Sequence, residues 1–301
     1  MKKLIKSITS YRKDYLLKNA QTNKIDTKEF KLSYTEYNRQ NKIVKDIRYN
    51  QDGSIEQMYK YRYNDKGQMI EETLSYSENE IAEKRTFELD DKGLVKKEFR
   101  PYLDGNVDTL VYNYDSENNL IEKTIIDSDN NIDSKDVFEY NNKKITKESV
   151  YEEADNLISY NIYKYDEAGN IVETIKWEAE DNKKIKIVDF FIEKGSRTKS
   201  LVYNSLNQLI SKTIFIEEND RIIQVLEEDQ YKKDTTNITY DKKGNIIEEK
   251  EYNIKNQLNH KVIKKYNDNN DIIESAVFID RHEQGINQDY VVRYEYEMLK
   301  E

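Results

Sequence analysis

The 301 residues carry 59 acidic and 49 basic side chains, a formal net charge of −10, 36% hydrophobic residues and no cysteine. An acidic chain repels a phosphate backbone, which argues against nucleic-acid binding, and the lack of cysteine excludes disulfides, thiolate metal sites and cysteine nucleophiles. Apolar content lies below the roughly 45–50% of an ordinary domain, but 25 tyrosines oppose disorder, because a tyrosine buries its ring while its hydroxyl stays wet.

Residues 1–29 differ in pattern from the rest of the chain. Met1-Lys2-Lys3-Leu4-Ile5-Lys6 opens like a signal peptide, yet Lys6, Arg12, Lys13 and Asp14 interrupt any apolar stretch. Ile5, Ile8 and Leu16 fall at helical spacing and predict a short helix that caps the first strand, as repeat arrays require.

From residue 30 to 301 one pattern recurs. An aromatic residue is followed by Gly or Asn four places on and an apolar residue six places on. Tyr37/Asn41/Ile43, Tyr49/Gly53/Ile55, Tyr63/Gly67/Met69, Leu89/Gly93/Val95 and Tyr114/Asn118/Leu120 follow it in the first half. Tyr165/Gly169/Ile171, Tyr203/Asn207/Leu209, Tyr240/Gly244/Ile246, Tyr252/Asn256/Leu258 and Tyr266/Asn270/Ile272 follow it in the second. Tight turns need φ > 0 at one position, which glycine adopts freely and asparagine tolerates. Gly53, Gly67, Gly93, Gly169 and Gly244 are therefore structural turn residues.

Tyr37, Tyr49, Tyr63, Tyr76 and Leu89 set the spacing at roughly 11–14 residues, which leaves room only for short strands. The prediction is all-β: a long antiparallel meander of about twenty strands forming a single twisted or spiral repeat sheet. Pro101 marks a strand start, edge or bulge. Asp127, Asp129, Asn131 and Asp133 copy the opening of a calcium loop, but Ile132 and Phe138 stand where glycine and glutamate belong, so the segment reads as an acidic turn. Glu217–Asp234 breaks the spacing and predicts a longer loop. His260 and His282 are isolated, and nothing pairs them into a metal site or a triad.

Tyr165-Asp166-Glu167-Ala168-Gly169-Asn170-Ile171 and Tyr240-Asp241-Lys242-Lys243-Gly244-Asn245-Ile246 resemble the YD repeat of the RHS family. Tyr63-Asn64-Asp65-Lys66-Gly67-Gln68-Met69 and Tyr114-Asp115-Ser116-Glu117-Asn118-Asn119-Leu120 are looser copies. The resemblance implies a coiled antiparallel sheet that in large members encloses or presents a toxin domain, with some members linked to carbohydrate binding. This chain departs from them in its short length, in lacking the Pro/Asp/Gly-rich segment at the core boundary, and in lacking a C-terminal toxin domain. It looks like a small free-standing bacterial relative.

No catalytic set, metal site or cofactor fingerprint emerges. Glu71, Glu122, Glu173, Glu248 and Glu274 recur after the apolar slot, a pattern that serves either paired-carboxylate chemistry or a solvated face opposite lysines such as Lys84, Lys123 and Lys212. Tyr59, Tyr61, Tyr63, Tyr112, Tyr163 and Trp177 are the candidate binding residues, since aromatics with polar handles concentrate at interfaces and stack on sugars. The expected function is a non-enzymatic scaffold for a protein partner (a toxin, effector or enzyme), with immunity, inhibition or chaperoning as its role. A carbohydrate-binding module is the alternative, and a glycan-active enzyme using the repeat glutamates comes third. The absence of a long apolar run predicts no membrane contact and a cytoplasmic location, unless export takes a signal-independent route.

Overall fold

The computed structural model describes residues 4–15, 26–102, 104–153, 155–191, 196–281 and 286–299. Twenty-two strands run in chain order. They are β1 (Ile5–Tyr15), β2 (Thr27–Tyr37), β3 (Ile43–Tyr49), β4 (Ile55–Tyr63), β5 (Met69–Ser75), β6 (Glu83–Leu89), β7 (Val95–Pro101), β8 (Val107–Tyr114), β9 (Leu120–Ile126), β10 (Ile132–Asn141) and β11 (Lys144–Glu152). The second half contributes β12 (Asn156–Tyr165), β13 (Ile171–Glu178), β14 (Lys183–Phe191), β15 (Arg197–Tyr203), β16 (Leu209–Glu218), β17 (Arg221–Asp229), β18 (Lys233–Tyr240), β19 (Ile246–Tyr252), β20 (Leu258–Tyr266), β21 (Ile272–Arg281) and β22 (Ile286–Met298).

Two compact units divide the chain, Met1–Lys84 with Asp234–Glu301, and Arg85–Lys233. In the terminal unit, β18 through β22 pair in succession, β22 pairs with β1, and β1 through β5 continue the antiparallel series. In the central unit, β6 through β17 form an unbroken antiparallel meander.

This overturns two expectations. The described part of residues 1–29 is strand, not a helical cap; Leu16 lies outside the described residues. The three-residue apolar spacing of β1 arises because its register shifts twice, between Ile5 and Ser7 against β22 and between Ser10 and Tyr11 against β2. A bulge adds a residue and so disturbs the period of two that betrays a strand. The single twisted or spiral repeat sheet is also corrected, because β1 lies between β2 and β22, so the first and last strands pair with each other. Ser7 and Ser10 are accordingly buried, at 3% and 2% exposure.

Glu217–Asp234 is not a loop. Asn219 and Asp220 have φ of 53° and 60°, the two positive values of a type I′ hairpin, and join β16 directly to β17. Asn142 and Lys143 make the same turn between β10 and β11. Pro101 ends β7 opposite Val107 and is exposed, so its missing donor costs the ladder little.

The core is thin. Among the described residues the buried apolar side chains are Ile47, Met58, Leu74, Leu110 and Val292. Ile47 stands opposite Met58, and Met58 opposite Ser75, so burial follows cross-strand rows rather than a central mass.

Candidate functional site

Each main hairpin is built the same way, and Asp166–Asn170 shows how. The Asp166 amide bonds the Asn170 carbonyl at 3.0 Å, and the Gly169 amide bonds the Asp166 carbonyl at 3.1 Å, with Gly169 at φ 94°. A turn followed by one left-handed residue is a common way to close a short hairpin. The Asp166 carboxylate then accepts the Asn170 amide at 2.8 Å, replacing a bond that water would otherwise supply. The same carboxylate or amide cap recurs at Asn38, Asp90, Asp115, Asn204, Asp241, Asn253 and Asn267. Gly53, Gly67, Gly93 and Gly244 have φ of 87°, 76°, 86° and 92°.

Asp127 belongs to this series. It accepts the Asp129 and Asn131 amides at 2.9 and 2.8 Å, so the acidic stretch caps a turn. No group of acidic or histidine side chains suited to a metal occurs among the described residues. His260 lies within β20, and His282 is outside the described residues.

Hydrogen bonds to the charged form hold Asp115, Asp127, Asp166 and Asp241 below the ordinary aspartate range. A depressed folded value means stability that is full above the ordinary value near 3.9 and is lost as pH falls through the lower folded one. Replacing all four by asparagine should flatten the acid limb of melting temperature between about pH 5 and 2 while leaving a folded protein, since Asn204 and Asn253 cap turns equally well. Thermal melts across that range check this; unchanged slopes would contradict it.

The tyrosines that end strands are ties. The hydroxyls of Tyr63, Tyr114, Tyr140, Tyr165 and Tyr266 donate to the carbonyls of Ile43, Val95, Leu120, Ile145 and Ile246 at 2.7–2.9 Å. Each tie reaches back to a strand of the preceding hairpin. Lysines lie over several of these rings: Lys42 over Tyr63 at 5.2 Å, Lys144 over Tyr165 at 5.1 Å and Lys186 over Tyr203 at 4.9 Å. The Lys42 amine also donates to the Gly67 carbonyl of the next turn. This lysine–tyrosine ladder went unread in the sequence, although the lysine 21 residues before each of Tyr63 and Tyr165 was visible there.

The six candidate aromatics separate by role. Tyr63 is one of the ties. Tyr112 and Tyr163 donate to Glu98 and Glu148, both at 2.8 Å. Burial, reinforced by Glu148, pushes Tyr163 up to about 12, and burial with Glu98 raises Tyr112. Trp177 stacks on Tyr160 with centroids 5.3 Å apart, and its indole N–H donates to Asn182 at 3.2 Å. Tyr59 and Tyr61 stack at 6.3 Å, and burial with the Glu72 charge pushes Tyr61 up to about 12. Tyr61 and Tyr63 line a concave feature.

That feature is an open groove of about 540 Å³ between two successive turns, bounded by Arg39, Val44, Tyr61, Arg62 and Tyr63. A second groove of about 740 Å³ occupies the equivalent place further along the terminal unit, with Lys242, Ile247, Lys264, Lys265 and Tyr266 in matching positions.

The repeat glutamates are held by partners. Glu71 takes Arg62 and Lys84 at 3.2 and 3.0 Å, Glu173 takes Lys164 at 2.6 Å, Glu248 takes Lys250 and Lys261 at 2.7 and 3.6 Å, and Glu274 takes Lys265 at 2.7 Å. Glu122 accepts from the Asn113 amide at 3.0 Å. The lysines hold Glu71 and Glu248 below the ordinary carboxylate range, the opposite of what a general acid requires. Lys84 is the expected partner of a repeat glutamate; Lys123 and Lys212 instead face Asp136 and Glu228.

No family model and no curated protein match the chain. Among solved structures it is similar to TcdB2-TccC3 without its hypervariable C-terminal region, at 12% identity and TM-score 0.46, covering 90% of this chain and 16% of that one. It is also similar to porin-like proteins from Bacteroides uniformis and Bacteroides vulgatus, each at 12% identity. Those TM-scores are 0.30 and 0.22, covering 97% and 99% of this chain and 96% and 100% of the porin-like ones. The chain thus spans about one sixth of the first of these structures.

The expectations of no membrane contact and a cytoplasmic location do not stand. They rested on the lack of a helical span. No helix among the described residues is long and apolar enough to cross a membrane, but a chain made of strands is not tested by that criterion.

Proposed function

We propose that the chain is a non-enzymatic binding scaffold, a small relative of RHS-type repeat proteins that holds a protein partner such as a toxin, effector or enzyme along its hairpin turns. The observation that carries this reading is the repetition of one open groove at equivalent turns. A repeated, solvent-open groove suits a partner that spans several turns better than a small ligand needing enclosure. Its walls mix tyrosine rings with arginine and lysine heads, the residue types enriched where proteins meet. Basic neighbours hold Glu71 and Glu248 below the ordinary carboxylate range, which does not suit a glycosidase acid, and Asn182 already accepts from the Trp177 indole N–H that a sugar would use.

The test is capture of partners from lysate on immobilised wild-type protein and on a variant carrying Arg39→Glu, Lys242→Glu and Lys243→Glu. A protein bound in stoichiometric amount to the wild type and lost from the variant supports the scaffold. Equal capture by both, or clear glycan-array signals with no captured protein, would reverse it.

A further inference from the structure

In an antiparallel meander, alternate connections lie at the same edge of the sheet. In the central unit the connections that come after odd-numbered strands span 102–106, 127–131, 153–155, 179–182, 204–208 and 230–232. Among the described residues of this unit, the apolar side chains at least half exposed are Tyr102 (52%), Ile132 (55%), Leu206 (76%), Leu209 (52%) and Tyr231 (88%). Each lies in one of these connections or at the first residue after it. Among the described residues none lies at the opposite edge, where Ile121 and Ile171, after the turns closed by Asp115 and Asp166, are only 37% and 36% exposed.

The order along the edge is informative. Successive connections at one edge are two strands apart, about 10 Å. Tyr102 and Ile132 lie at the first two, and Leu206, Leu209 and Tyr231 at the last two. The two between carry Glu153, Asp155, Glu180 and Asp181. The first five connections contain no lysine or arginine. Asp155 does pair with Lys135 of β10 at 2.6 Å, yet remains 77% exposed. The edge thus presents exposed apolar residues towards both ends and acidic side chains across its first four connections, from Asp104 to Asp181, with Lys183 just after the fourth, over roughly 50 Å.

Exposed apolar residues in a row, rimmed by polar ones, mark an interaction site, and their cost in water is recovered only when something covers them. We infer that this edge docks a cationic polypeptide whose apolar residues flank a lysine- or arginine-rich centre. The carboxylates favour such a partner over an anionic lipid surface, which they would repel. This surface lies in the other unit from the grooves, so its success or failure is independent of theirs.

The experiment uses the full chain and a synthetic 16-residue peptide with leucines at both ends and lysines between, monitored by fluorescence anisotropy at low and physiological salt. Binding should weaken at least tenfold in Leu206→Ser with Tyr231→Ser, and separately in Glu180→Lys with Asp181→Lys. These are exposed positions, and equal thermal melts will show that both variants fold. Arg39→Glu should leave binding unchanged. The inference is overturned if a matched peptide with glutamates binds as well, if neither variant loses affinity, or if vesicles of phosphatidylcholine and phosphatidylglycerol take up the protein while the peptide does not bind.

Discussion

Deleting residues 1–15 is expected to unfold the terminal unit. β1 is held in nine register pairs on each side, against β2 and against β22. Each backbone hydrogen bond contributes about 0.5–1.5 kcal/mol net, so losing on the order of ten removes a sum comparable with the 5–15 kcal/mol stability of a whole domain. The deletion also strips β2 and β22 of their partner and leaves two unprotected edges, an invitation to aggregation. Hydrogen exchange should show protection lost from both strands and persisting in β8 to β13 of the central unit. Retained protection in β2 and β22 would contradict the assigned pairing.

Leu110→Ala is the second large effect, at about 3–5 kcal/mol, the upper range for emptying a fully enclosed leucine site. Leu110 is wholly buried, between Glu98 on β7 and Ile125 on β9. Few other side chains of the central unit are enclosed, so little can collapse into the space. Leu110 is also the register partner of the buried Glu98, whose carboxylate holds Arg100 at 2.6 Å and Tyr112 at 2.8 Å. A truncated side chain would admit water and weaken both. Chemical denaturation of this variant against wild type, with Ile121→Ala at an exposed position as control, measures the difference. A loss under about 1 kcal/mol would show that the row is not part of the core.

The sequence made the turns legible because their chemistry is local. In the aromatic-to-apolar repeat the residue at positive φ is glycine or asparagine, which makes Asn41, Gly169 and Gly244 legible, and with them the strand ends at Tyr37, Tyr165 and Tyr240. The type I′ turns are not, since Asn142-Lys143 and Asn219-Asp220 replace glycine with residues that merely tolerate the geometry. β1 mimics a helix in sequence because register shifts in its ladders disturb the period of two. Its pairing with β22 joins the two ends of the chain, and no local signal encodes a contact of that span.

The candidate surface was legible only in part. Tyr61 and Tyr63, candidates as aromatics with polar handles, stand two places from the next tyrosine, and they line a groove. Tyr112 and Tyr163 share that spacing but donate to Glu98 and Glu148, residues 14–15 positions away that no alternation pattern links to them. The exposed apolar tips are hidden for another reason: Leu206 falls in a predicted turn and Tyr231 in a predicted loop, and only the order of the strands puts the two on one edge.

The most direct test joins the chain's ends. Thr9 and Glu295 are register partners in the β1–β22 ladder, and the chain contains no cysteine to compete. With Thr9→Cys and Glu295→Cys combined, mild oxidation should give one intramolecular disulfide, seen as a faster-migrating species on non-reducing gels and as a raised melting temperature. A protein that stays reduced, or links only between molecules, would show that the first and last strands do not meet.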